Sequence, residues 1–187
     1  AEKWIAEYKG KIAETPEEAA KDSDFVFTCV GNDDDLKEVA IGKKGIFNTI
    51  KKDSIYIDNT TASAKIAREL HKNAKAHGFG FLDAPVSGGQ AGAEKGTLTV
   101  MVGGDKEDFN KAKHVIDCYS RKVQLLGPSG SGQLAKMVNQ ICIAGLVQGL
   151  SEAINFGTNA GLKMEDVIEV ISKGAAQSWQ MDNRYKT

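Results

Sequence analysis

The feature that most constrains the fold is a regular alternation of short apolar runs with longer amphipathic segments over the first 126 residues. Each run is rich in β-branched and aromatic residues and ends in a turn, which is typical of a strand buried on both faces of a parallel sheet. The predicted strands are Phe25–Val30, Ser54–Asp58, Phe79–Asp83, Thr97–Val102 and Val123–Leu126. This alternation predicts an α/β fold with a mostly parallel sheet between helices.

The pattern changes after residue 126, because every later segment has the periodicity of a helix. A loop of small residues, Gly127–Gly132, precedes a helix of about twenty-five residues that is apolar on nearly every side. An all-round apolar surface predicts that this helix is buried. The change from alternation to helix alone predicts a domain boundary at that loop, with the long helix starting at the join.

Two polar residues near the start of this helix are candidates for chemistry. Lys136 and Asn139 are three residues apart, so both project from the same helix face. A lysine in apolar surroundings is costly to keep charged, so the pKa of Lys136 should fall below its ordinary value. One hypothesis is a proton-transfer group with Asn139 as its polar neighbour. The alternative is a lysine whose stem lies along the helix while its amine reaches water.

The loops after the first three strands form a second group of candidates, because ligands of open α/β sheets bind at the carboxyl ends of strands. These loops are residues 30–32, 59–61 and 84–89. The third loop opens a segment, residues 84–96, with four glycines and Ser87. Backbone N–H groups of paired glycines can approach an anion closely, so a carboxylate or phosphate is the predicted ligand. An ordinary flexible connection is the alternative.

Composition argues against several function classes. The chain has 24 basic and 25 acidic residues and no basic stripe with interleaved aromatics, so we expect no nucleic-acid partner. Its longest apolar stretch, residues 141–147, is much shorter than a membrane span, so we expect no membrane partner. Cys29, Cys118 and Cys142 lack disulfide or metal-ligand spacing, which predicts buried free thiols, no metal and a cytoplasmic location.

Three segments together resemble the β-hydroxyacid dehydrogenase family, which includes the 3-hydroxyisobutyrate dehydrogenases and tartronate semialdehyde reductases. They are Phe81–Gly89 (FLDAPVSGG), Gly96–Gly104 (GTLTVMVGG) and Gly132–Asn139 (GQLAKMVN). The resemblance covers essentially the whole chain in the family's order. It implies a Rossmann-like dinucleotide-binding domain over residues 1–127, lacking its first βαβ part. It also implies that residues 128–187 begin an all-helical substrate and dimerisation domain, opened by a long interdomain helix.

The resemblance also implies an activity. Family members transfer a hydride between the nicotinamide of NAD or NADP and a small β-hydroxy acid or its semialdehyde. The family's catalytic lysine matches Lys136, which would be the general acid/base, and its substrate-holding asparagine matches Asn139. The family's substrate-binding Ser-Gly-Gly matches Ser87, Gly88 and Gly89, which would receive the carboxylate of the substrate.

On the cofactor side, the family's Leu-Pro aligns with Val30 and Gly31, although this chain has no proline there, and Thr61 aligns near the nicotinamide ribose. Trp179 aligns with a bulky residue that reaches the family's substrate pocket. The family's Gly-x-Gly-x-x-Gly turn, which holds the pyrophosphate, does not occur in the sequence. We therefore expect a fragment lacking both termini that binds a dinucleotide poorly and is inactive alone. The resemblance further implies a homo-oligomer.

Three alternative functions remain open: a non-catalytic relative acting as a binding module, an imine reductase, and a 6-phosphogluconate dehydrogenase-like enzyme. A binding module would be expected to lose the lysine, and imine reductases carry another acid there, so Lys136 argues against both. A phosphorylated substrate would call for added basic residues, yet the basic residues near these loops are Lys95 and Lys136.

Overall fold

The structure, a computed structural model, describes residues 1–186. It divides into two compact units, Ala1–Lys136 and Met137 onward. The strands are β1 Phe25–Thr28, β2 Ile55–Asp58, β3 Gly80–Asp83, β4 Val86–Ser87, β5 Leu98–Gly104 and β6 Ser120–Gly127. The helices are α1 Glu2–Tyr8, α2 Pro16–Ala20, α3 Asp33–Ile41, α4 Ala64–His77, α5 Gly89–Glu94, α6 Lys106–Ile116, α7 Ser131–Asn159, α8 Met164–Ile171 and α9 Trp179–Arg184.

A six-stranded sheet forms the centre of the first unit. β1, β2 and β3 are parallel neighbours, and β5 and β6 are parallel to each other. β5 runs antiparallel to β3, and the short β4 pairs antiparallel with β5. The predicted α/β class with a Rossmann-like, mostly parallel sheet is confirmed. The direction reverses in the middle because residues 84–97, which contain β4 and α5, turn the chain back without a long crossover helix.

Alternating side chains of the sheet build two separate cores. Tyr56 and Phe81 point to the face covered by α3 and α4, where they pack with Leu36 and Leu70. Ile55, Ile57 and Leu82 belong to the opposite core, which includes the buried side of α6. This period-two division follows from the pleat of the strands, so a helix layer covers each face of β2 and β3.

The long helix α7 corrects one expectation. From Met137 onward most of its residues are exposed, including the large apolar side chains of Val138, Ile141, Leu146, Val147 and Phe156. Within the described residues of the second unit, α8 and α9 are too short to cover a helix of 29 residues. By length and composition α7 could cross a membrane, a test that core helices of soluble proteins also pass.

The prediction of buried thiols is wrong as well, because all three cysteines are free and exposed. Cys29 follows β1, an edge strand of the sheet, Cys118 follows the end of α6, and Cys142 lies on the uncovered surface of α7. Cys29 and Cys118 are exposed despite their apolar sequence neighbours, because an edge strand and a helix end each leave one side open to solvent.

The second unit packs α8 and α9 beside the end of α7. The approach of α7 to α8 is close, since a Cβ added at Gly157 would overlap the sulfur of Met164. Ile168 and Met181 provide the buried side chains of α8 and α9.

Candidate functional site

The carboxyl ends of three parallel strands lie side by side. Thr28, Asp58 and Asp83 end β1, β2 and β3 and occupy adjacent register positions. The loops that follow them carry the residues predicted for cofactor and substrate. The sheet therefore brings these loops to one edge, which is the edge where ligands of α/β folds bind.

Lys136 extends from the second turn of α7 to the loop after β3. Its Nζ donates a hydrogen bond to the backbone carbonyl of Val86, at 2.8 Å, and the residue is 9% exposed. No ion pair to Lys136 is present within residues 1–186. Burial lowers the pKa of Lys136 because the ammonium loses hydration without gaining a counter-charge. The amine is thus desolvated and bonded to the residue directly before Ser87.

The Ser87–Gly89 turn adjoins this amine. Val86 and Ser87 form β4 and pair with Val100 and Thr99 of β5, so the turn begins from a fixed strand. Gly88 and Gly89 have φ of 141° and 61°, values that favour glycine, and both are exposed. A Cβ at Gly89 would have open space on every side. The exposed glycines therefore follow closely in sequence on Val86, the residue whose carbonyl accepts from Lys136.

The cofactor-side loops are joined by side-chain hydrogen bonds. The backbone N–H of Val30 donates to the hydroxyl of Thr60, at 3.0 Å, while Gly31 and Thr61 remain exposed. Asn59 donates from its side-chain amide to the carbonyl of Ala84, at 2.7 Å, and thereby ties the loop after β2 to the loop after β3.

A buried carboxylate lies beneath these loops. Asp58 is completely buried, and its Oδ1 accepts hydrogen bonds from the Thr28 hydroxyl at 2.8 Å and the Thr60 hydroxyl at 2.6 Å. Its Oδ2 has no hydrogen-bond partner in the described part of the chain. Burial raises the pKa of Asp58 to about 6, although the bonds from both threonines oppose this effect.

A second buried carboxylate holds the start of α7. Asp83 accepts from the backbone N–H of Gly130, at 2.7 Å, and from that of Gln133, at 3.0 Å. These bonds satisfy N–H groups that a helix start leaves without intrahelical partners. Gly132 allows this close contact, because a Cβ there would lie 2.6 Å from the carbonyl oxygen of Asp83.

Asp58, Asp83 and Gln133 were not predicted from the sequence, and Asn59 was predicted only as part of the loop 59–61. The available signal was an aspartate ending each of two apolar strand patterns, together with a polar residue one helical turn before Lys136. Neither signal identifies a partner without the register of the sheet.

Two predicted residues lie in the second unit. Asn139 donates from its side-chain amide to Gln140, at 3.1 Å, and is half-buried. Trp179 begins α9, is 59% exposed, and has the Arg184 guanidinium 5.8 Å from its ring centre. The first unit contains two groups of the other predicted residues. One group is Lys136 with the turn of Ser87, Gly88 and Gly89, and the other is Val30, Gly31 and Thr61.

Two cavities lie elsewhere. One of about 650 Å³ lies between α8 and α9 and is lined by Glu165, Glu169, Lys173 and other residues of the second unit. Another, of about 210 Å³, lies at the amino end of β3 beside Asp108. Neither contains a predicted site residue.

Two family models match the chain in succession. Residues 1–127 match the NAD binding domain of 6-phosphogluconate dehydrogenase. Residues 130–187 match the family described as NAD-binding of NADP-dependent 3-hydroxyisobutyrate dehydrogenase. Together they cover nearly the whole sequence.

Individual relatives agree with these models. An uncharacterized oxidoreductase of Shewanella frigidimarina is 60% identical over all 187 residues, which span 64% of its length. The mitochondrial 3-hydroxyisobutyrate dehydrogenase of Mus musculus is 34% identical over 92% of this chain and 51% of its own. A structure of Mycobacterium tuberculosis 3-hydroxyisobutyrate dehydrogenase with L-serine superimposes with a TM-score of 0.84 at 29% identity. That match covers 94% of this chain and 59% of the other.

The chain thus spans about half to two thirds of the length of the relatives it matches. The two family models, the sequence relatives and the shared fold lead to one assignment. The chain belongs to the β-hydroxyacid dehydrogenase family of NAD- or NADP-dependent oxidoreductases, as a relative of the 3-hydroxyisobutyrate dehydrogenases.

Proposed function

We propose that the protein transfers a hydride between NAD or NADP and a small β-hydroxy acid or its semialdehyde, with Lys136 as the general acid/base. The observation that carries this proposal is the desolvated Lys136 amine, 2.8 Å from the carbonyl of Val86 and adjacent to Ser87. A proton carrier and an anion-binding turn must be neighbours if one small hydroxy acid is to touch both.

The turn of Ser87, Gly88 and Gly89 is the proposed site for the substrate carboxylate. Gly88 and Gly89 are exposed, and the Ser87 hydroxyl has no protein partner in the described part of the chain. The L-serine in the related Mycobacterium tuberculosis structure carries a carboxylate and a β-hydroxyl on a three-carbon frame. A substrate of that size would bring its hydroxyl from the turn to the Lys136 amine.

The exposed strand edge fits the nicotinamide end of the cofactor, which supplies or accepts the hydride. Gly31 and Thr61 are exposed there, and Val30 is fixed by its bond to Thr60. The start of α3 does not fit a pyrophosphate, because Asp33, Asp34 and Asp35 place carboxylates at that helix end. We therefore assign Val30, Gly31 and Thr61 to the nicotinamide ribose side.

Lys136 would move the proton of the substrate hydroxyl. As an ammonium it has three N–H donors, and Val86 takes one of them. A second can donate to the oxygen that becomes an alkoxide during reduction, and the neutral amine can remove the hydroxyl proton during oxidation. The lowered pKa of Lys136 favours both directions, because less free energy separates the charged and neutral amine near neutral pH.

Asn139 and Trp179 complete the proposal on the helical side, where they would hold and enclose the substrate. We also propose a homo-oligomer acting in the cytoplasm. Support for an oligomer is the exposed apolar surface of α7, since soluble proteins seldom leave such a surface uncovered.

The test replaces Lys136 in the complete protein by methionine, which keeps the length of the side chain without its amine. We expect kcat for the best β-hydroxy acid to fall at least about a hundredfold, as is typical when a general acid/base is lost. The kcat of Lys136→Arg should fall by a similar factor, because arginine keeps its proton and cannot act as a base. Lys163→Met, at an exposed lysine, is the control. Turnover of Lys136→Met within tenfold of the wild type would refute the proposed role.

A further inference from the structure

We infer that Gln133 is a positioning residue that fastens the loop after β2 to the start of α7, and so sets where Lys136 lies relative to the cofactor-side loop. This inference rests on the proposed function. Gln133 is fully buried and is one helical turn before Lys136.

Both ends of the Gln133 side-chain amide are used by one loop. Its Oε1 accepts from the backbone N–H of Ala62 at 3.0 Å, and its Nε2 donates to the backbone carbonyl of Thr60 at 2.7 Å. A single side chain therefore satisfies a donor and an acceptor two residues apart. An amide is a hydrogen-bond donor and an acceptor at once, so it bonds the loop at two points. Two bonds fix the orientation of the loop relative to α7, whereas one bond would fix only the distance between them.

Thr60 extends this hydrogen-bond network to the loop after β1. The Thr60 hydroxyl donates to Asp58 and accepts from the backbone N–H of Val30. Gln133 thus joins the loops after β1 and β2, which carry the proposed cofactor contacts, to the helix that carries Lys136. These bonds lie in a buried region, where an unsatisfied polar group is expensive.

The start of α7 has little freedom to adjust. The backbone N–H of Gln133 donates to Asp83, and a Cβ added at Gly132 would overlap the backbone oxygens of Asp83 and Met101. Lys136 then reaches Val86 from the same helix face. With the helix held against the end of β3, the Gln133 side chain determines how the Thr60–Ala62 loop is placed beside it.

The experiment compares Gln133→Met and Gln133→Asn with the wild type in the complete protein. Methionine keeps the shape and removes both hydrogen bonds, whereas asparagine keeps the amide but is one methylene too short to reach both partners. Gln148→Met is the matched control, since Gln148 is an exposed glutamine of the same helix that bonds Glu152. The measurements are kcat, the KM for NADH and NADPH, and the pH dependence of kcat/KM.

We expect Gln133→Met to lower kcat by ten- to a hundredfold, to raise the KM for the cofactor, and to shift the pH profile of kcat/KM. Gln133→Asn should change the same quantities by less. A role in stability alone predicts a lower melting temperature with kcat, KM and pH profile unchanged, and that result would overturn the inference. If the methionine variant does not fold, the same criterion applies to Gln133→Asn.

A second measurement separates this inference from the proposed function. The titration of the Lys136 amine can be followed by NMR in the chain itself, without substrate or turnover. We expect the pKa of Lys136 to rise toward its ordinary value in Gln133→Met, because a displaced Thr60–Ala62 loop lets water reach the start of α7, which stays bonded to Asp83. An unchanged titration counts against the inference, whereas a lack of turnover in the wild type counts against the proposed function.

Discussion

The buried Asp58 carboxyl, at the carboxyl end of β2, provides the sharpest test of the electrostatics of the candidate site. Its carboxyl group is completely buried, has one oxygen without a partner in the described residues, and has a pKa raised to about 6. Its pKa in the unfolded chain should be near the ordinary 3.8. The folded protein therefore binds this proton more tightly, and ionisation of Asp58 destabilises the fold.

The sign and size of the effect follow from proton linkage. The contribution of protonated Asp58 to the free energy of unfolding is greatest below pH 3.8 and is lost as the pH rises toward about 6. A difference of about two pH units, at about 1.4 kcal/mol each, gives a loss of about 3 kcal/mol. Asp58→Asn removes the titration while keeping an oxygen that can accept from Thr28 and Thr60. The variant should therefore become more stable relative to the wild type as the pH rises.

Urea unfolding followed by far-UV circular dichroism between pH 4 and pH 7 measures this difference. We expect the free energy of unfolding of Asp58→Asn minus that of the wild type to increase by about 2–3 kcal/mol over this range. Asp34→Asn, at the exposed start of α3, controls for the loss of one negative charge. A difference between Asp58→Asn and the wild type that is independent of pH would refute the raised pKa of Asp58.

Three further outcomes are expected. Gly132→Ala should lower the free energy of unfolding by about 2–3 kcal/mol, because its Cβ would overlap the carbonyl of Asp83. Gly145→Ala, in open space on the same helix, should raise it by about 0.5–1 kcal/mol, and thermal unfolding that fails to separate the two variants would contradict this packing. The isolated 187-residue chain should bind NADH and NADPH more weakly than about 100 µM, since the start of α3 is acidic. A fluorescence titration that reaches saturation at a few micromolar would contradict this last expectation.

Much of the fold could be predicted because its signals are local. The apolar strand runs, the Thr15 cap that accepts from Glu18, and the glycine that ends α4 each determine nearby backbone. The reversal of the sheet at β5 could not be predicted, since pairing partners are set by tertiary contacts. The burial of α7 was overestimated for a related reason: an apolar helix shows that a partner surface is favourable, not that one is present.

The candidate site divides in the same way. The sequence indicated Lys136 and the Ser87–Gly89 turn, and the structure places the Lys136 amine on the residue before Ser87. The buried Asp58 and Gln133 could not be identified, because their roles depend on atoms about thirty and seventy residues away in sequence. Polar residues that hold loops together carry no local pattern of their own.

The hydrogen bond from Asn59 to the carbonyl of Ala84 has a consequence for exchanging substrate specificity among relatives. A transplanted turn that begins at Val86 would leave this bond and the conformation of Pro85 intact, so the nicotinamide side should be undisturbed. A graft that begins at Asp83 would also exchange the Asp83 side chain, which accepts from the backbone N–H groups of Gly130 and Gln133, unless the donor protein has aspartate there. Under the proposed function, chimeras joined after Pro85 should change substrate choice while retaining cofactor affinity, whereas those that also lose the Asp83 carboxylate should disturb the start of α7.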